Sequence, residues 1–268
     1  KAENKEDESM EKLGIDVSHY QHTIDWAKVA KAGKEFAILK CQYEAQSHRI
    51  DETFEYNYAG AGKNGLARGV YIFIASASMA DMEGDARSLL KHLNGRKLEY
   101  GIWIDLEAAI VRTRGKAYIR GLVNTYANIF RAAGYYVGIY CNRDWYLNVI
   151  HEDLKATYDF WIARYPKEDK GIYNPASSLK PPAKMAVAWQ YSSKGWVNGI
   201  SVPVDLDVDF DGVVNLAAPE RKTNLQIAQE VKQGLWGNKY SRPSRCQRLT
   251  EAGYDYYAIQ HIVNNMMK

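Results

Sequence analysis

The seven residues Gly101-Ile102-Trp103-Ile104-Asp105-Leu106-Glu107 place two carboxyl groups where they could do chemistry together. Their alternation has the period of a β-strand. Ile102, Ile104 and Leu106 therefore share one face, while Trp103, Asp105 and Glu107 share the other. Residues two apart on a strand are separated by about 6.5 Å. At that range two carboxyls push their pKa values apart, so that one holds a proton beside a charged neighbour. That pairing suits general acid catalysis next to a developing positive charge. A solvated surface strand can carry the same letters, but acids that end an apolar, aromatic run are less readily read as exposed.

The elements that must hold such a pair follow from the remaining pattern. Strands are expected at 13–18, 36–40, 69–74 and 136–140, with the acidic stretch as the fourth in order. Helices are expected at 24–32, 51–64, 79–93 and 116–133, with a short one at 144–150. Five strand–helix alternations argue for a parallel sheet, open or closed. Beyond residue 150 the helical period disappears. Strands at 160–163, 185–191 and 204–208 are joined by segments rich in Pro, Gly, Ser and Asn. The fold class expected is α/β, a TIM-like barrel of five β/α units plus three strands, followed by a small all-α helical module. Strand ends in such a barrel converge on one mouth. Asp16, Asp105, Glu107 and Asp205 lie in or at the ends of the first, fourth and last strands, so they are expected to meet there.

Composition narrows the function classes. A net charge of +3 on 268 residues gives no case for nucleic acid. No run approaches the ~20 apolar residues of a membrane span, so no membrane partner is expected, and the assembly expected is a monomer. Twenty Tyr and seven Trp provide flat amphipathic rings that stack on sugars as well as pack in cores. Residues 1–12 are polar and are expected to be a disordered leader. Of three cysteines, Cys41 and Cys141 each follow an expected strand, which leaves a bridge between them open. His151-Glu152 lacks the second His of a zinc-protease helix, and there is no nucleophile elbow or phosphate-binding glycine loop. Asp207 to Gly212 looks like the start of a calcium loop, but its twelfth position is Ala218. It is read as an acidic strand end and turn. Neither a metal nor a cofactor is expected.

A set of short stretches, in order, resembles glycoside hydrolase family 25, the lysozymes of bacteria and their phages. They are Gly14-Ile15-Asp16-Val17-Ser18, Ile24-Asp25-Trp26, Asn57-Tyr58-Ala59, Gly69-Val70-Tyr71 with Phe73, Ile104-Asp105-Leu106-Glu107, Gly138-Ile139-Tyr140, Phe160-Trp161-Ile162-Ala163, Trp189-Gln190-Tyr191 and Val204-Asp205-Leu206. The resemblance implies a catalytic barrel over residues 13–218. It also implies cleavage of the β-1,4 bond between N-acetylmuramic acid and N-acetylglucosamine in peptidoglycan, by a protein secreted or released to the bacterial cell wall. Glu107 would protonate the leaving oxygen, and Asp105 would stabilise charge or orient the acetamido group. Asp16 and Asp205 would tune the site, with Tyr71, Tyr140, Trp161, Trp189 and Tyr191 as wall aromatics. Ile72 stands where many relatives have His, and the turn after Lys40 lacks their glycine. A catalytically inactive peptidoglycan-binding protein is the rival reading, and the retention of all four acids speaks against it.

From residue 219 to 268 the character changes. Residues 220–268 carry eight Lys or Arg against four Asp or Glu. Apolar residues at helical spacing predict two or three short helices, with Gly234, Gly237 and Gly253 as stops. Gly234-Leu235-Trp236-Gly237-Asn238, Ala252-Gly253-Tyr254-Asp255-Tyr256 and Ile262-Val263-Asn264 resemble one copy of a choline-independent cell-wall-binding repeat. On that resemblance Arg242, Arg245, Tyr254 and Asp255 are the ligand candidates, while Trp236 and Leu249 are expected in its core.

Overall fold

The structure, a computed structural model, describes residues 11–43, 48–75, 79–210, 223–238, 240–242, 244–251 and 254–266. Eight strands close into a barrel in sequence order. They are β1 Lys12–Val17, β2 Phe36–Tyr43, β3 Ala67–Phe73, β4 Ile102–Asp105, β5 Val137–Asn142, β6 Phe160–Ala163, β7 Ala188–Gly195 and β8 Val204–Asp209. Neighbours from β1 to β7 are parallel, but β8 runs antiparallel to both β7 and β1. The convergence of strand C-termini expected from sequence therefore fails for the last strand. A parallel return needs a crossover of about a dozen residues or more, and the segment 196–203 allows only a hairpin. Asp205 reaches the mouth because it lies near the start of β8.

Outside the barrel lie α1 Trp26–Lys31, α2 Phe54–Lys63, α3 Met79–Leu93, α4 Ala109–Arg112, α5 Lys116–Ala132, α6 Arg143–Asn148 and α7 Glu152–Thr157. The longest, α5, buries Ile119, Leu122, Val123, Tyr126, Ala127 and Phe130, an i, i+3, i+4 stripe that seats it on the sheet. The short α4 and α7 were not expected, since elements of one or two turns show too little period to read.

Strand alternation sorts the core into two layers. Ile15, Leu39, Val70, Ile72, Ile104, Ile139 and Ile162 face outward and pack with the helices. Phe36, Ile38, Trp103, Tyr140, Trp161 and Ala188 face inward with Tyr100. Ile72 thus points away from the barrel interior, and the residue type there bears on packing under the helices. Trp103 plugs the interior. Its Nε1 donates to Tyr100 O at 2.8 Å, and its ring stands edge-on to Trp161 and Tyr136 at 5.8 and 5.9 Å. The plug requires Gly138 on the neighbouring strand, where an added Cβ would lie 2.3 Å from Trp103 Cζ3. Cys41 and Cys141 are buried in the outer layer and free, so the bridge left open by their spacing is not made.

The tail forms three helices, α8 Asn224–Lys232, α9 Arg245–Glu251 and α10 Tyr256–Met266. Thr223 opens α8 with a capping box to Gln226, and Gly234 follows its end at a φ of 83°. Ile227, Ala228, Val231, Leu249, Ile259 and Val263 make a core of their own, with Trp236 partly buried against it. The leader up to Met10, the segment 211–222 that includes Ala218, and Gly253 lie outside the described residues. Among the described residues no helix is long and apolar enough to cross a membrane. Among them, too, no cluster of His, Cys, Asp and Glu has the arrangement of a metal site.

Candidate active site

At the mouth, above the aromatic plug, a well of about 240 Å³ is lined by Asp16, Tyr71, Asp105, Glu107, Tyr140, Trp161, Tyr165, Gln190 and Asp205. The barrel brings the four acids together from three strands. Asp16 and Asp205 sit directly opposite each other on β1 and β8. Asp105 ends β4, in register with Phe73 on one side and Tyr140 on the other. Glu107 follows on the turn beyond it. A larger groove of about 950 Å³ lies between α1, α2 and the loop at Gly199, but its one acid, Asp25, is paired with Lys28 at 3.0 Å.

The acids occupy different environments. Asp105 is 4% exposed, and its Oδ1 has no hydrogen-bond partner. Burial first, and the nearby Glu107 second, raise its pKa well above the carboxylate range, with Lys40 opposing. Glu107 is exposed at the rim. Even so, loss of hydration between the walls raises its pKa, again against Lys40. Asp16 is raised by burial and then by Asp205 and Asp207, while the Gln190 hydrogen bond pulls the other way. Burial, then Glu107 and Asp169, push Asp205 up to about 6.

That last shift gives a stability signature. Asp205 is easier to protonate folded than unfolded, so its contribution is fully present below its ordinary value of 3.8 and is lost as pH rises through about 6. Urea midpoints compared at pH 4 and pH 7 are expected to fall in the native protein. Asp205→Asn should remove a part of that fall on the order of 2 kcal/mol. An unchanged pH dependence in the variant would show that the acid titrates normally.

Several site residues were not singled out from sequence. Lys40, the charged end of the apolar run that forms β2, stands 5.7 Å from the Tyr71 ring centroid and 5.0 Å from that of Phe73. Burial lowers its pKa and the carboxylates of Asp105, Asp51 and Glu107 raise it. Gln190 links three walls. Its Nε2 donates to Asp16 Oδ2 at 2.5 Å, and its Oε1 accepts from Tyr140 at 2.7 Å and from Tyr165. Asp207, one alternation below Asp205, is fully buried and accepts from Trp161 Nε1 at 2.9 Å. The signal for Asp207 was the same period-two spacing that singles out Asp105 and Glu107. Tyr165 sits on an irregular loop that offers none.

Two expected wall aromatics are elsewhere. Trp189 and Tyr191 flank the inward Gln190, so alternation turns both to the outer layer. There they pack on Tyr173 at 6.2 and 5.1 Å. Tyr71, Tyr140 and Trp161 do line the well. In the tail, three of the four ligand candidates have structural partners. Arg245 donates to Gly237 O and Gln260 Oε1, Tyr254 packs edge-on against Trp236 at 6.0 Å, and Asp255 caps α10 through the backbone N–H groups of Tyr257 and Ala258. Arg242 is exposed.

Residues 15–200 match the family model described as glycosyl hydrolases family 25, and residues 225–267 match the CW_7 repeat. The chain is 28% identical over 216 residues to the uncharacterized protein YegX of Escherichia coli K12, covering 75% of this chain and 70% of that protein. It is 29% identical over 202 residues to Lysozyme M1 of Streptomyces globisporus, covering 72% of this chain and 65% of that protein. Among solved structures, the bacterial lysozyme from Streptomyces coelicolor superposes with a TM-score of 0.62 at 25% identity, over 77% of this chain and 97% of that one.

Proposed function

This chain belongs to glycosyl hydrolase family 25, and from that premise and the acids of the well we propose that it hydrolyses the β-1,4 bond between N-acetylmuramic acid and N-acetylglucosamine in peptidoglycan. The observation that carries the reading is Asp105 Oδ1, an acceptor buried at the well without a donor. An acetamido N–H supplies what it lacks. Glu107, at the rim with a raised pKa, gives its proton to the glycosidic oxygen as the C–O bond breaks. The acetamido carbonyl oxygen bonds to the anomeric carbon on the opposite face, and the ring so formed carries a positive charge. Asp105, whose ionised form the acetamido N–H favours, accepts that N–H and offsets the positive charge as it develops beside it. Water then attacks the anomeric carbon and gives a proton to Glu107, which reopens the ring with net retention. Two carboxyls at one strand end, Asp105 on β4 and Glu107 just beyond it, fit this route better than a pair placed on opposite sides of the scissile bond.

Tyr71, Tyr140, Trp161 and Tyr165 supply the walls and Asp16 and Asp205 the floor that seat the sugar. The CW_7 repeat holds the protein to the wall. Its basic excess suits an anionic muropeptide and calls for no choline, with exposed Arg242 the member of the candidate set left for ligand. Linkage to the barrel then raises its effective concentration at the substrate. A barrel that only bound the wall would gain nothing from keeping Asp105 buried and unpaired.

Mass spectrometry of digested peptidoglycan tests the bond assigned. Products are expected to end in reducing N-acetylmuramic acid, and reducing N-acetylglucosamine would overturn the assignment. NMR of the first-formed anomer tests the route, where inversion would exclude acetamido participation.

A further inference from the structure

Beneath the well lies an acid that the mechanism does not use. Asp207 is fully buried on the inward face of β8, two residues from Asp205 and in register with Gly14 of β1 and Gln190 of β7. Its Oδ1 accepts from Trp161 Nε1. Its Oδ2 receives no hydrogen bond from a side-chain or backbone donor among the described residues. Yet β1 and β8 set it one alternation from Asp16, so the two buried carboxyls face each other and each shifts the other's ionisation; Asp16 is 6% exposed and already accepts from Gln190 through Oδ2. Two ionised carboxylates in contact away from water repel strongly, and neither can donate. One proton between them removes both difficulties.

We propose that Asp207 is a positioning residue that shares a single proton with Asp16, carried on the Asp16 oxygen not held by Gln190 and donated to Asp207 Oδ2. The side-chain oxygens of Asp16, Asp207 and Gln190 are then each matched. Trp161 N–H serves one oxygen of Asp207 and the Asp16 O–H serves the other. Gln190 N–H serves the second oxygen of Asp16, and the Gln190 carbonyl takes the hydroxyls of Tyr140 and Tyr165. Asp16 is neutral, the pair carries one negative charge, and the Gln190 amide has a single satisfied orientation. Both phenols spend their hydrogens on Gln190, so their oxygens face the well as acceptors, which selects sugar substituents that bring O–H or N–H.

The surrounding charges agree with the placement. Asp205 on β8 disfavours ionisation of both members. Lys34, just before β2, and the Trp161 N–H both favour the ionised form of Asp207, whereas Asp16 has Gln190 alone apart from its partner. The phenols that line the well, Tyr71, Tyr140 and Tyr165, are kept protonated by burial and add no charge. The meaning given to the acceptor-only wall rests on the proposed glycan hydrolysis. The position of the proton does not.

Neutron diffraction from crystals of the native full chain exchanged into D2O locates it directly. Deuterium between Asp16 and Asp207 is expected, and two bare carboxylates there would overturn the proposal. In solution, ¹³C NMR of aspartate carboxyl carbons at neutral pH is expected to show a protonated resonance that disappears in Asp207→Asn and in Asp16→Asn but survives in Asp105→Asn. Its survival in Asp207→Asn would also overturn the proposal, and if that variant does not fold, the native neutron map decides. Wall clearing measured alongside keeps the two readings apart. Native protein that shows the shared deuterium but clears no wall defeats the glycan assignment and upholds the proton.

Discussion

Glu107→Gln is expected to abolish clearing of purified cell walls, with a loss of about 10³-fold or more. General acid catalysis alone contributes about 10²–10⁴-fold, and glutamine keeps the shape of glutamate with no proton to give the leaving oxygen. Binding should survive, because Glu107 is exposed at the rim and the floor and walls of the well do not depend on it. The pH profile provides the mechanistic control. Native activity should decline as pH rises through the elevated pKa of Glu107, since the proton that does the work is then lost. The residual activity of the variant should lack that limb. A glycoside with a good leaving group, which needs no proton, should recover much of the lost rate. Clearing by the variant equal to that of the native protein would remove Glu107 from the chemistry altogether.

Asp105→Asn should cost about 10²–10³-fold in kcat, the size of effect seen when a preorganised charge-stabilising group is deleted, with little change in KM. The asparagine side chain still accepts from an acetamido N–H through its oxygen. It cannot supply the negative charge that the ring intermediate requires. The two variants therefore differ in one decisive respect. A good leaving group should rescue Glu107→Gln and leave Asp105→Asn as slow as before, because departure of the leaving group no longer limits but the cationic ring must still form. Equal rescue of both would mean that Asp105 serves proton transfer, and the acetamido route would have to be given up.

How far the site could be read from letters depended on whether a residue sat in a regular strand. The faces of β4 are those that period two assigns, because its outward side meets helices and its inward side meets the interior. The same rule applied to β7 places Gln190 inside and its aromatic neighbours outside; ring chemistry alone points Trp189 and Tyr191 toward the sugar, and in the structure alternation prevails. In β8, likeness to a calcium loop hid the regular spacing of Asp205, Asp207 and Asp209, although Asp209 is also buried, accepting from Tyr100 at 2.9 Å. Tyr165 was beyond reach, since its place on the rim depends on how the loop after β6 packs. The tail candidates show the converse. Asp255 and Arg245 attract notice by charge, and the first caps α10 while the second ties α9 to the Gly237 loop and to α10.

The reversed last strand also governs when the molecule becomes active. Asp205 exists only on β8, and β8 closes the ring by joining β1, whose Asp16 lies at the far end of the barrel's sequence. Contacts so distant along the chain are among the slowest to form. A nascent polypeptide still short of Val204 carries Asp16, Asp105 and Glu107 but lacks Asp205 and the strand that closes the ring, so a cell making this hydrolase meets the complete barrel only after its full length has been synthesised.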